Sequence, residues 1–253
     1  MRIAITRAVS PAIGDCELTF LERQNIDASR AAAQHDQYEH ALARHGCTVV
    51  RIAAAPELPD AVFVEDAAIV LDEIAVITRP GVESRQVETA SVAVALQNYR
   101  QIAHIQAPAT IDGGDVLRVD RTLYAGRSQR TNEAALEQLQ KLAPDFEVVA
   151  VDFHGCLHLK SAVTQIDERT LLFNPDWIEA FKGFEMIAVD RKEPFAANAL
   201  VLDGVVVHAA SHPRTRRRLE QHGYRVVPVD VSELEKAEAG VTCCSLMVER
   251  PDR

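Results

Sequence analysis

The stretch NALVLDGVVVHAA, Asn198 to Ala210, reads as two short apolar strands turned at Asp203-Gly204. An Asp-Gly pair between apolar runs is the strongest short-range hairpin signal, because both turn positions want positive φ. The next segment, PRTRRRLEQHG, has Pro213 near its start and Gly223 at its end, the asymmetry of a helix. The strand YRVVPVDV follows. One unit is therefore a hairpin, a helix and a further strand.

Working outward, the same pattern recurs. AVFVEDAAIVLDEIAVITR (Ala61 to Arg79) turns at Asp72-Glu73, and GDVLRVDRTLYAGR (Gly114 to Arg127) turns at Asp120-Arg121. HLKSAVTQIDERTLLFNP (His158 to Pro175) turns at Asp167-Glu168. The second of these precedes the helix TNEAALEQLQKLAP, which Thr131 or Asn132 can cap, and the strand FEVVAVDF. The third precedes a weaker copy, DWIEAFKG and then FEMIAVD. The hairpins begin near residues 61, 114, 158 and 198, at unequal intervals of roughly 40–50 residues, the signature of an array of supersecondary units. MRIAITR at the start and CCSLMVE at the end are strands without hairpin mates. A helix (Arg30 to His45, stopped by Gly46) and the strand CTVVRIAA follow the first. If the two terminal strands pair, they complete a fifth unit and close a ring that leaves no sheet edge exposed. The expected fold is a single domain over residues 1–253, a five-bladed α/β propeller of ββαβ-type units. An open doubly wound sheet is the alternative, since βα alternation also fits it.

Composition bounds the function. A chain of 253 residues with formal net charge -10 is acidic, which argues against nucleic-acid and anionic-membrane partners, since both need basic patches. No apolar run approaches a membrane span, and MRIAITRAVSPAIGD lacks the apolar region of a secretory signal. The cysteines are Cys16, Cys47, Cys156, Cys243 and Cys244; an odd count at irregular spacing reads as free thiols in a reducing, cytoplasmic compartment. No CxxC pair marks a structural zinc site.

Some residues stand out for their place in the units. Cys243 and Cys244 open the last strand, with side chains on opposite faces; both can be small hydrophobes, or one can be a nucleophile facing the ring axis. His158 opens the third hairpin, the position Cys243 holds in its own unit. His35, His40, His45, His212 and His222 fall on polar helix faces and are expected in solvent. Asp60, Glu65 and Asp66 lie in and beside an apolar strand, and Asp112 and Asp115 flank Gly113-Gly114. Buried carboxylates are costly unless paired, and a cationic ligand would pair them. Arg85 and Arg130 each follow a hairpin on one rim, and arginine suits bidentate binding of a carboxylate. Carboxylates for a cation, arginines for a carboxylate and a Cys/His pair between them fit an amino acid with a cationic side chain.

Taken in order, FVEDAAIV, ITRPGVESR, TIDGGDVL, SQRTN, LHLKS, AANALVL and VTCCS resemble the dimethylarginine dimethylaminohydrolase family, from about Leu18 to Val248. That family sits among the guanidine-modifying enzymes and has a five-bladed α/β propeller, the pentein fold. The resemblance implies hydrolysis of methylated arginine to citrulline without metal or organic cofactor. It implies Cys243 as nucleophile, Cys244 as its inward-packed neighbour and His158 as general acid/base. It places Asp66 and Asp112 on the guanidinium with Glu65 nearby. The substrate α-amino group would go to Asp60 and the carbonyls of Leu18 and Ala237, and the α-carboxylate to Arg85 and Arg130. Zinc, a soft metal, could bind Cys243 and inhibit. Propeller rims in that superfamily can pair, which leaves a homodimer open. Arginine deiminases and amidinotransferases use related chemistry on longer chains, and a catalytically dead arginine-binding propeller is the non-enzyme alternative.

Overall fold

The computed structural model describes residues 2–179 and 181–249. Ala180 and the ends of the expected domain, residues 1 and 250–253, lie outside the described residues. In chain order the first unit holds β1 (Arg2–Arg7), α1 (Ala28–Arg44) and β2 (Cys47–Ile52). The second holds β3 (Ala68–Val70), β4 (Ile74–Ile77), α2 (Thr89–Leu96) and β5 (Gln101–His104). The third holds β6 (Val116–Val119), β7 (Thr122–Arg127), α3 (Glu133–Leu142) and β8 (Glu147–Asp152). The fourth begins with the single turn α4 (Leu159–Ala162) and continues as β9 (Val163–Gln165), β10 (Thr170–Phe173) and β11 (Glu185–Ala188). The fifth holds β12 (Ala199–Leu202), β13 (Val205–Ala209), α5 (Pro213–Gln221) and β14 (Arg225–Val229). The short α6 (Ser232–Glu235) and β15 (Leu246–Glu249) follow it.

These strands make five three-stranded sheets. Each middle strand pairs antiparallel with one neighbour and parallel with the other. The terminal strands do pair: β15 runs antiparallel to β1 from Arg2↔Glu249 to Ile5↔Leu246, so the last strand completes the first unit's sheet. The local signals work as read. Asp203 and Gly204 have φ of 44° and 74°, the left-handed pair a tight hairpin turn needs. Asn132 caps α3 by accepting the Ala135 N–H at 3.1 Å, and Asp27 caps α1 by accepting the Arg30 N–H at 3.0 Å.

The core sits between the sheets. Ile3, Ile5 and Val248 of the first sheet pack on Ala75, Ile77 and Leu96 of the second unit. Ile69 and Val76 meet Leu123 and Leu139 of the third; Leu117 meets Leu159 and Leu171 of the fourth; Ile166 and Leu172 meet Val206 and Leu219 of the fifth. Val205 and Val207 of the fifth then meet Ala4, Tyr38 and Leu42 of the first. Five apolar interfaces join five sheets in sequence and return to the start, so packing closes the ring. Residues of β3, β6, β9, β12 and β15 line one central cavity of about 300 Å³. The antiparallel edge strand of every sheet, β15 in the first, therefore faces the axis, and the doubly wound alternative is ruled out.

Three expectations need correction. The apolar runs ahead of the inner strands are not strand. Val64–Ala67 and Gly113–Asp115 are 3-10 turns, Leu159–Ala162 is a helical turn, and Cys243 and Cys244 lie in a turn before β15 rather than at its start. The reason is where their backbone groups bond: the Gly114 N–H goes to Asp66 Oδ1 (3.1 Å) and the Leu159 N–H to Asp115 Oδ1 (3.0 Å), side chains of neighbouring units, instead of to a ladder. DWIEAFKG forms turns, not a helix, among its described residues; Asn174 accepts the Asp176 N–H through its side chain and holds the turn. His35 is buried, not solvated, and burial pushes its imidazole down to about 4, hence neutral; His212 is half-buried against Glu235 at 3.1 Å.

Candidate active site

The turn before each inner strand carries a side chain to one end of the axis. The second unit brings Glu65 and Asp66, the third Asp112 and Asp115, the fourth His158 and Lys160. The fifth brings Asn198, and the closing turn Thr242 and Cys243. Asp60, Asp66, Arg85, Arg130, His158 and Cys243 line one cavity of about 10 Å³, completed by Phe63, Ala237 and Glu238 among others. Sulfur and imidazole, 85 residues apart in numbering, thus share a wall.

His158 is buried between carboxylates. Its Nε2 lies 3.0 Å from Asp112 Oδ2 and its Nδ1 3.7 Å from Asp66 Oδ1. Burial opposes its charge, but Asp66, the hydrogen-bonded Asp112 and Asp115 outweigh that cost and raise it to about 9. Asp66 shows the reciprocal effect. Burial favours its neutral form, yet His158 and Arg85 (Nη1 to Oδ2, 2.8 Å) hold it down at about 2. At neutral pH the site therefore holds an imidazolium and a carboxylate. Gly114 makes this geometry possible: a Cβ there would sit 2.7 Å from His158 Nδ1 and 2.8 Å from Asp66 Oδ1.

Cys243 is held differently. The Gly240 N–H donates to its sulfur at 3.2 Å. Burial, then Glu65 and Asp66, push its thiol well above the ordinary range, against the Gly240 N–H and Lys160. The Cys243 sulfur therefore rests as a neutral thiol, and a bound cation would favour its thiolate. Cys244, fully buried, packs in the core with Tyr38 and Val241.

Of the remaining expected residues, Asp60, Arg85, Arg130 and Ala237 are in the cavity wall, and three are not. Asp112 lies behind the imidazole, fully buried, accepting the Gly81 N–H at 2.9 Å. Glu65 points away, to Lys160 Nζ at 2.6 Å and the Thr242 hydroxyl at 2.7 Å. Leu18 is half-buried beside the wall, in a segment whose Glu17 N–H donates to Asp60 at 3.1 Å. Arg85 is tied to Glu88 (3.1 Å) as well as to Asp66; Arg130 donates through Nη2 to the Thr19 hydroxyl (3.1 Å), while its buried Nη1, 4.0 Å from Asp112 Oδ2, makes no hydrogen bond. Asp60 has its carboxyl raised by burial, with Arg85 and the Glu17 N–H opposing. Sequence reading missed Glu88, Lys160, Asn198, Thr242 and Glu238. The first is three residues after Arg85, and the next three sit inside the stretches LHLKS, AANALVL and VTCCS.

Comparison with known proteins places this arrangement. The family model "N,N dimethylarginine dimethylhydrolase, eukaryotic" matches residues 19–249. The N(G),N(G)-dimethylarginine dimethylaminohydrolase of Streptomyces coelicolor is 38% identical over 246 residues, 96% of this chain and 95% of that one. A Pseudomonas aeruginosa dimethylarginine dimethylaminohydrolase, solved as a cysteine-to-serine variant with citrulline, superposes with TM-score 0.90 at 31% identity, covering 96% of this chain and 98% of that one. A histidine-to-glycine dimethylarginine dimethylaminohydrolase, solved as an adduct with S-methyl-L-thiocitrulline, superposes with TM-score 0.91 at 31% identity, covering 98% and 100%. The chain thus belongs to the dimethylarginine dimethylaminohydrolase family of the α/β-propeller guanidine-modifying enzymes.

Proposed function

We propose that the protein hydrolyses N-omega-methylated arginines to citrulline and methylamine or dimethylamine through a covalent adduct on Cys243. The observation that carries this is one cavity walled by a thiol, an imidazole, carboxylates and two arginines, one of them with a buried Nη1 that makes no hydrogen bond. Asp66 receives the guanidinium. Asp60, with the carbonyls of Ala237 and Leu18, receives the α-amino group. Arg130, with Arg85, receives the α-carboxylate. Phe63, buried in the wall, supplies an apolar niche for the methyl groups.

The steps follow from the charges. The substrate cation stabilises thiolate over thiol, and the Cys243 proton leaves as substrate binds. The thiolate attacks the guanidinium carbon and forms a tetrahedral adduct. His158, already protonated, gives its proton to the methylated nitrogen; the C–N bond breaks and the amine departs, leaving an S-alkylthiouronium. Neutral His158 takes a proton from water, the hydroxide adds to the same carbon, and the C–S bond breaks as the adduct's hydroxyl proton passes to the departing sulfur, releasing citrulline and restoring the thiol. Asp112 keeps the ring oriented by holding Nε2. No helix among the described residues is long and apolar enough to cross a membrane, and five free thiols suit a cytoplasmic site of action for what acts as one catalytic domain.

The test supplies asymmetric dimethylarginine, monomethylarginine and arginine in parallel and measures citrulline. The methylated substrates should give the higher kcat/KM. Clear preference for arginine would move the assignment to deimination.

A further inference from the structure

Beneath the cavity lies a set of polar groups that the chemistry above does not use. Lys160 Nζ contacts Glu65 Oε1 at 2.6 Å. Glu65 Oε2 accepts from the Thr242 hydroxyl at 2.7 Å. The Thr242 oxygen accepts from Asn198 Nδ2 at 2.9 Å, and the same Nδ2 lies 3.2 Å from the Lys160 carbonyl oxygen. The path returns to the residue where it began. Asn198 also accepts the Thr242 N–H through Oδ1 at 2.9 Å. The four residues come from four different units, and all but Lys160 are less than a tenth exposed. Gly240 lets the turn pack directly on Asn198, since a Cβ there would overlap the Asn198 side chain.

The circuit touches the reacting groups through the chain itself. Thr242 precedes Cys243, and the Glu65 N–H donates to the Cys243 carbonyl at 3.1 Å. Lys160 lies two residues after His158, on the turn that His158 opens. Neither Lys160, Asn198 nor Thr242 lines the catalytic cavity; Lys160 and Thr242 border the central cavity on the other side of the circuit. We propose that Glu65, Lys160, Asn198 and Thr242 form a closed hydrogen-bonded brace that fixes the Cys243 turn against the His158 turn, making them positioning residues for the reaction rather than substrate contacts. The inference rests on Cys243 and His158 being the reacting pair.

Two variants of one residue separate bracing from mere packing. Thr242→Val removes the hydroxyl and keeps the N–H to Asn198; Thr242→Ser keeps both. Misplacing a reacting group by about 1 Å costs on the order of 10²-fold. Thr242→Val should therefore lower kcat for citrulline release by about that factor with KM unchanged, and Thr242→Ser should restore most of it. Lys160→Met should lower kcat as well, and the double variant Lys160→Met/Thr242→Val should be little worse than the worse single, since either change opens the circuit. Full kcat in Thr242→Val, equal losses in Val and Ser, or multiplicative losses in the double variant would overturn the brace. A substrate-free measurement keeps this apart from the assignment of activity. The charged groups acting most strongly on the sulfur are Glu65, Asp66 and Lys160, and His158, Asp60, Arg85, Arg130 and Glu238 share its cavity. In Lys160→Met the pH midpoint for alkylation of Cys243 by iodoacetamide, followed by peptide mass spectrometry on folded protein, should move upward. An unmoved midpoint would overturn the link between Lys160 and the sulfur, even if the unsubstituted chain released no citrulline.

Discussion

His158 and Cys243 were both visible in the sequence, but only as members of a resemblance and of matching unit positions. What the sequence hid was their charge. The imidazole is held cationic by three buried carboxylates, and the thiol is held neutral by burial, by Glu65 and by Asp66, which acts on both. Neither effect follows from residue type, because each depends on which unit's turn faces which. It is testable at that scale. The His158 ring should titrate near 9 by NMR of its C2–H signal, and Asp112→Asn should bring the midpoint down; a midpoint at or below about 6.5 in the unsubstituted chain would contradict the site. Stability carries the same sign. A folded value raised above the ordinary 6.5 contributes stability that is complete below pH 6.5 and is lost as pH rises through about 9. The Tm advantage of the unsubstituted chain over His158→Asn should shrink across that window, as read by thermal melts in a pH series.

The hairpins, their Asp-Gly and Asp-Arg turns, and helices α1, α3 and α5 were legible because caps and stops act locally. A helix starting near Arg85 is expected and is found as α2, but its extent is not legible, because TASVAVAL carries only Thr89 and Ser91 to mark a polar face. The turns ahead of the inner strands were misread as strand for a related reason. FVEDA, GGD and HLKSA look like half-buried strand, but the Gly114 and Leu159 N–H groups bond to side chains in the preceding unit and the Glu65 N–H to the Cys243 carbonyl, which no local pattern reveals. Gly113 and Gly114 are where such a turn is most exacting. Gly114→Ala should keep the fold but displace the imidazole, lowering kcat by about 10²-fold. Gly113→Ala, whose Cβ would meet the Glu65 carbonyl oxygen at 2.0 Å, should instead cost several kcal/mol of stability and show as a lowered Tm. Normal activity and stability in both would mean that the turns are less tightly packed than described.

Across the whole molecule, ring closure was the boldest expectation drawn from sequence, resting on two unpaired terminal strands. It holds through both the β1–β15 pairing and the apolar interface between the fifth unit and α1. Leu42, fully buried there, should cost about 2–5 kcal/mol when cut to alanine, measured by denaturant unfolding, because a ring has no free edge into which the cavity can relax. A loss near zero would mean that this last interface is not closed. The ring matters because it alone brings a sulfur from the closing turn and an imidazole from the fourth unit to one wall. The direct test is acid quenching during turnover of asymmetric dimethylarginine, then digestion and peptide mass spectrometry. An adduct with the mass of substrate less dimethylamine should appear on the peptide holding Cys243 and be missing in Cys243→Ser, which should fold normally and turn over more than about 10⁴-fold more slowly. An adduct on Cys16, Cys47, Cys156 or Cys244, or undiminished turnover in Cys243→Ser, would contradict it.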